Sequence, residues 1–142
     1  MKSVLIVDPD PASGKLAEVL FSQGFQTMQA QDARTALMIM RSGMPVDLVV
    51  SETELPDLDG IDFIAHLRRS YPGLPVIVVT TQCSIEKYLQ AASLDVAEYL
   101  TKPLFLREFC RIVRITLGQS TPRNNGERSR DGEDDRTFLG TS

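Results

Sequence analysis

The sequence predicts an α/β domain built on a parallel sheet, and three observations predict it. Short apolar runs (Val4-Leu-Ile-Val7, residues 48–50 and Val76-Ile-Val-Val79) alternate with segments whose apolar residues recur at helical spacing. The runs are continuously apolar, as strands buried on both faces must be. Strands alternating with helices imply right-handed βαβ units, with helices covering both faces of the sheet.

Each element follows from local chemistry. The first run stops at Asp8-Pro9-Asp10-Pro11, where two prolines end the ladder and Pro11 suits the first turn of a helix. Ala12, Leu16, Val19 and Leu20 stripe that helix, and Gly24 stands at its stop. Residues 26–30 form a weaker strand whose glutamines suit a sheet edge. Asp32 is a candidate N-cap for a second helix carrying Ala33, Ala36, Leu37 and Met40, closed by Gly43 and Pro45. A strand over 47–51 leads through a loop with Pro56 and Gly60 to a third helix, marked by Ile61, Ile64 and Leu67 and ended by Pro72-Gly73. The block at 76–79 is β-branched at every position. Ser84 caps a fourth helix whose apolar face is Ile85, Leu89 and Ala92. A fifth strand at 97–100 and a final helix striped by Leu106, Phe109, Cys110, Val113 and Leu117 complete the pattern.

Composition sets the outer bounds. The 142 residues suit one domain over 1–118, able to build a core without staples. Residues 119–142 hold only Phe138 and Leu139 as large apolar side chains, which predicts a disordered polar tail. Arg136-Thr-Phe-Leu139 reads as part of that inert tail in preference to a docking segment. A net charge of −4 offers no basic footprint for nucleic acid. No apolar run approaches the roughly 18 residues that span a bilayer, and no signal peptide opens the chain. Cys83 and Cys110 have no metal-type spacing, so the expected setting is the reducing cytoplasm.

In an open parallel sheet, function collects at the carboxyl ends of the strands. Those ends carry Asp8 and Asp10, then Ser51, Glu52 and Glu54, then Thr80 and Thr81, then Lys102-Pro103. Carboxylates hold a hard cation, while a lysine and a threonine hold phosphoryl oxygens. Singly, such residues are turn formers, caps or surface groups. Their recurrence in successive strand–helix positions points to one site.

At these segments the chain resembles the receiver domain of bacterial response regulators. Val4-Leu-Ile-Val-Asp8, Pro45-Val-Asp-Leu-Val-Val50, Leu55-Pro-Asp-Leu-Asp-Gly60, Pro75-Val-Ile-Val-Val-Thr80 and Glu98-Tyr-Leu-Thr-Lys-Pro103 carry the likeness, in order, over residues 2–118. The resemblance implies a flavodoxin-like fold, a (βα)5 three-layer sandwich with strand order 2-1-3-4-5. It implies two-component (phosphorelay) signal transduction by a stand-alone, non-enzymatic domain, with a histidine kinase and a separate output protein as partners. It places the phosphoacceptor position at Glu52, the acidic pocket at Asp8 and Asp10, the switch hydroxyl at Thr80, the switch aromatic at Tyr99 and the phosphate-side lysine at Lys102. It gives a metal Asp8 and the backbone carbonyl of Glu54. Its partner face would include Tyr88, Leu89, Tyr99 and Arg107, with a second copy of the chain as a further candidate there.

Two departures fall on the chemistry. The acceptor position is Glu52 where the family pattern has an aspartate, and the second acid of the metal pair is Pro9. The extra methylene moves the carboxylate by about 1.5 Å, and a misplacement of about 1 Å can cost about a hundredfold in transfer. Losing one hard ligand weakens a Mg²⁺ site, since that ion tolerates imperfect octahedra poorly. The expectation is a phosphorylation-independent pseudo-receiver that needs no cofactor and binds Mg²⁺ weakly or not at all. A Glu52–Lys102 ion pair would hold it in one conformation, near the active-like one. A working receiver with altered acceptor chemistry is the alternative. A third reading, a haloacid-dehalogenase-like phosphohydrolase, takes Asp8-Pro9-Asp10, Thr80 and Lys102 in order. It fails at Ala12 and at a terminal acid pair, which only Asp134-Asp135 could supply. His66 reads as a helix-surface residue, and Met28, Met38, Met40 and Met44 as core or helix-face residues.

Overall fold

A computed structural model describes residues 1–82 and 84–119. All of the predicted tail after Gln119, Arg136-Thr-Phe-Leu139 included, therefore lies outside the described residues. Five parallel strands, β1 (Ser3–Val7), β2 (Gln26–Ala30), β3 (Leu48–Ser51), β4 (Val76–Thr80) and β5 (Glu98–Thr101), lie in the order β2-β1-β3-β4-β5. Among the described residues five helices connect and follow them: α1 (Ser13–Ser22), α2 (Ala33–Arg41), α3 (Gly60–Ser70), α4 (Ile85–Ser93) and α5 (Leu106–Thr116). The order is the flavodoxin-like one.

The continuous apolar strands supply both faces, because successive side chains point to opposite sides. Val4, Ile6, Val50, Ile77 and Val79 pack with Leu16 and Leu20 of α1 and Phe109 and Val113 of α5. Leu5, Val7, Val49, Val76 and Val78 pack on the other side with Ala33 and Ala36 of α2, Phe63, Ile64 and Leu67 of α3, and Ala91 of α4. The polar β2 lies at one edge, as its glutamines predict, and β5 lies at the other.

Helix ends follow the chemistry of capping. Asp32 accepts the Thr35 N–H at 2.8 Å and Ser84 accepts the Lys87 N–H at 3.1 Å, each completing an N-terminus. Asp59, which the sequence pattern did not single out, caps α3 through the Ile61 N–H at 2.8 Å. Pro11 does not enter α1. Asp10 and Pro11 form a tight turn ahead of Ser13, with the Asp10 carbonyl taking the Ser13 N–H at 2.9 Å and the Asp10 carboxylate taking the Ala12 N–H at 2.9 Å.

α4 corrects the sequence reading most. Ile85 and Leu89 are 79% and 58% exposed and Ala92 is exposed too, whereas Ala91 is the residue that α4 buries among the described residues. The sheet is reached by the opposite side of the helix, so the apolar stripe faces outward. Met38 and Met44 are likewise exposed, while Met28 and Met40 pack against the core. Asp95, after α4, adopts φ +62°. That left-handed conformation strains a side chain with a Cβ, although aspartate tolerates it better than most.

Candidate functional site

The carboxyl ends of β1, β3, β4 and β5 bring together most of the residues singled out above. β1 delivers Asp8, β3 delivers Glu52, β4 delivers Thr80, and the segment after β5 delivers Lys102, whose peptide bond to Pro103 is cis. Parallel register aligns these ends: Val7 lies beside Ser51, and Thr80 lies beside Thr101. Asp8, Glu52 and Thr80 are buried.

Lys102 is the centre of the cluster. Its Nζ lies 2.6 Å from Asp8 Oδ2, 3.3 Å from Glu52 Oε1 and 4.0 Å from Asp10 Oδ2. One ammonium thus serves three carboxylates. Burial alone would lower the Lys102 pKa, but the hydrogen bonds and charges of Asp8 and Glu52 together outweigh it and hold the pKa above the ordinary lysine value. Burial pushes Asp8 upward, and its contacts with Lys102 and the Asp10 N–H only partly offset this, while Glu52 adds repulsion. Both directions follow from a buried cluster with more negative than positive charge.

The remaining carboxylate oxygens are engaged by backbone and hydroxyl groups. Asp8 Oδ1 accepts the Asp10 N–H at 2.9 Å. Glu52 Oε2 turns back on its own chain and accepts the Thr53 N–H at 2.7 Å, the Thr53 hydroxyl at 3.2 Å and the Glu54 N–H at 3.4 Å. The longer side chain makes this possible, since an extra methylene lets the carboxylate fold over the following peptide.

This donor set does not fit a resident magnesium ion. Position 9 is a proline and Lys102 lies between Asp8 and Glu52, while the Glu54 side chain, which the expected metal site does not use, pairs outward with Lys87 at 3.3 Å. Among the described residues no three acidic, histidine or cysteine side chains are arranged to hold a metal ion.

Two residues that shape the site were not anticipated. Thr53 is buried, and its Oγ1 lies 2.8 Å from Thr80 Oγ1, joining the β3–α3 loop to β4. Thr80 Oγ1 in turn accepts the Gln82 N–H at 2.9 Å. Lys87 on α4 pairs with Glu54 and, at 3.7 Å, with Asp59. Burial disfavours its charge, but Glu54 and Asp59 outweigh that and raise its pKa. A hydroxyl between two acids at the end of a buried strand was the available signal for Thr53. The partner 27 residues away was not.

Of the partner-face residues, Tyr88 and Leu89 are exposed, and Tyr99 and Arg107 are half-buried. The Tyr99 hydroxyl is buried, and the Tyr99 and Tyr88 rings meet edge to face with centroids 5.4 Å apart. His66 is half-buried on α3, away from these strand ends.

Gly60, the first residue of α3, fixes how the β3–α3 loop lies. A Cβ there would stand 2.5 Å from Thr53 Cα and 2.7 Å from the Glu52 carbonyl oxygen. Backbone cannot yield to such a contact as a flexible side chain can. Gly60→Ala is expected to destabilise the fold by about 1–3 kcal/mol through overpacking, measured by urea denaturation. An unchanged midpoint would show that the loop gives way freely.

The comparisons with known proteins agree with this geometry. The family model described as response regulator receiver domain matches residues 4–114. The transcriptional regulatory protein GlrR of Escherichia coli is 32% identical over 120 residues, covering 84% of this chain and 27% of GlrR. The response regulator MprA of Mycolicibacterium vanbaalenii is 33% identical over 120 residues, covering 84% of this chain and 52% of MprA. The chain thus spans between a quarter and about half the length of these relatives. Among solved structures, the non-phosphorylated HemR receiver domain from Leptospira biflexa gives a TM-score of 0.77 at 26% identity, covering 87% of this chain and all of that one. A CheY-like receiver domain protein from Methanospirillum hungatei gives 0.79 at 24% identity, covering 83% and 94%, and supports the fold alone. With matching strand order, aligned strand ends and a family match across nearly the whole described chain, this protein belongs to the response regulator receiver family of two-component signalling.

Proposed function

We propose that this receiver domain is a pseudo-receiver, acting through protein–protein contacts without being phosphorylated. The observation that carries this reading is the engagement of both Glu52 carboxylate oxygens within the chain, with Pro9 next to Asp8 in sequence where a second acid would stand. Phosphoryl transfer to a carboxylate requires the acceptor oxygen in line with the donor and the charge of both neutralised. Glu52 offers one oxygen committed to Lys102 and one folded onto the Thr53 and Glu54 N–H groups. The Glu52 carboxylate, paired with Lys102 and linked through Thr53 to Thr80, is a standing anion held where a signal would otherwise be written. A carboxylate carries less charge and fewer acceptor oxygens than a phosphoryl group, so the imitation is partial.

The proposed partner is a kinase or an output module in the cytoplasm. Its docking face is α4–β5–α5, where Tyr88 and Leu89 stand exposed beside half-buried Tyr99 and Arg107. A second copy of the chain would use the same face. No helix among the described residues is long and apolar enough to cross a membrane.

The test is incubation of the natural chain with acetyl phosphate and Mg²⁺, followed by intact mass measurement. An unchanged mass is expected. A stoichiometric gain of about 80 Da on Glu52 would replace this reading with that of a working receiver of altered acceptor chemistry.

A further inference from the structure

α4 is a helix with little apolar reason to stay where it is. Among the described residues it buries Ala91, while Ile85 and Leu89 face solvent. In proteins most of a short helix's stability comes from packing an amphipathic face, and nine residues alone are marginal in water. Besides the edge-to-face contact of Tyr88 with Tyr99, two polar ties hold the N-terminal end of α4, and both come from the loop that follows Glu52. The outer tie is Lys87, paired with Glu54 and Asp59 at the surface. The inner tie is the buried series Glu52 Oε2, Thr53 Oγ1, Thr80 Oγ1 and the Gln82 N–H, with successive separations of 3.2, 2.8 and 2.9 Å.

The inner series has a direction set by its first member. An ionised carboxylate can only accept, so the Thr53 hydroxyl donates to Glu52. Thr53 Oγ1 is then left as an acceptor, so the Thr80 hydroxyl donates to it, and Thr80 Oγ1 receives the Gln82 N–H. Every proton in the series points toward the anion, an arrangement in which each bond polarises the next. A neutral amide at position 52 can donate as well as accept. Thr53 is then free to turn its proton to Thr80, and Thr80 to turn its own to the Gln82 carbonyl, 3.4 Å away.

We infer that Thr53 is a positioning residue that transmits the Glu52 charge through Thr80 to Gln82, and so fixes the start of α4 and the exposed Ile85–Leu89 stripe without any phosphoryl group. The inference rests on the reading of Glu52 as a standing charge, and it adds the route by which that charge reaches the outer surface. The Thr53 side chain is buried, lies between two acids in sequence, and bonds through its hydroxyl within this series.

Amide hydrogen exchange of the full chain tests this, read over Gln82 and residues 85–93, with no phosphoryl donor present. In the natural background, Glu52→Gln is expected to accelerate exchange there roughly three- to tenfold, about the worth of one net hydrogen bond. In a Thr53→Val background the same Glu52→Gln change is expected to have no further effect, because the route is already cut. Thr53→Ser, which keeps the hydroxyl, is expected to restore the response. Lys87→Met cuts only the outer tie, so its effect should add to that of Glu52→Gln. If Thr53→Val does not fold, Thr80→Val opens the series from its other end and carries the same expectation. An undiminished Glu52→Gln effect in either background, or no effect in the natural one, overturns the inference. Because no phosphoryl donor is used, that failure stays distinct from the appearance of a phosphoryl adduct on the natural chain.

Discussion

Replacing Pro9 and Glu52 by aspartate together is expected to create a chain that gains a phosphoryl group from acetyl phosphate and Mg²⁺, seen as a mass increase of about 80 Da. Each substitution alone is expected to leave the mass unchanged. Glu52→Asp shortens the acceptor by about 1.5 Å, which draws the carboxylate off the Thr53 and Glu54 N–H groups it now covers. It leaves the pocket with Asp8 as its one properly placed acid, because the Asp10 carboxylate is already used on the Ala12 N–H and faces Lys102 only at 4.0 Å. Pro9→Asp adds the missing carboxylate next to Asp8 but leaves a glutamate folded over its own backbone. On the reading proposed above, the two departures lie on different parts of the same chemistry, one on the acceptor position and one on the charge that must neutralise it. Repairing one therefore exposes the other, and the pair is expected to be strongly non-additive. An adduct on the Glu52→Asp chain alone would show that Asp8 and Asp10 suffice. The double variant staying unmodified, while folded, would place the fault elsewhere in the pocket.

The fold was legible because its main signals are local. Three apolar runs, two side-chain caps at Asp32 and Ser84, and Gly24 and Gly43 at positive φ each act within a few residues. α4 shows where such signals stop. Ile85, Leu89 and Ala92 obey helical spacing, and spacing tells which residues share a face, not whether anything covers that face. The sheet met the helix through Ala91, one position from Ala92, so the stripe was real and its burial was not. The site divides in the same way. Asp8, Glu52, Thr80 and Lys102 could be listed because each closes a strand, and strand ends share an edge. Thr53 and Lys87 depend on which side chains meet across the β3–α3 and β4–α4 loops, a matter of ångströms that residue type does not encode.

Lys102→Met is expected to lower stability at pH 7.5 by about 3–5 kcal/mol, the usual result of removing one partner from a buried charge cluster. Methionine fills the space of the aliphatic stem, so the loss reports charge more than packing. The Lys102 side chain is 10% exposed, and Asp8 and Glu52 are 3% and 6% exposed, so water screens these charges little. The pH dependence follows from the sign of the shifts. Lys102 has a folded pKa above its ordinary value, so its stabilisation is complete below the ordinary lysine value and lost only as pH rises through the folded one. In the natural chain that contribution is constant from weakly acid to neutral pH. Asp8 is also raised, so its contribution is favourable below the ordinary aspartate value and lost as pH rises through its folded pKa. At neutral pH its ionised form is a cost that Lys102 offsets. Without Lys102, Asp8 is driven higher still, and protonation relieves the variant more than the natural chain. The stability gap is therefore expected to be narrower at pH 4.5 than at pH 7.5, because the raised Asp8 carboxyl is protonated more readily at the lower pH. Urea denaturation of both chains at the two pH values measures it. Adding Asp8→Asn to the Lys102→Met chain should recover part of the loss at pH 7.5 and leave little pH dependence. A gap that stays constant with pH, or a loss below about 1 kcal/mol as for a solvent-screened surface pair, would mean that Lys102 is not what neutralises this pocket.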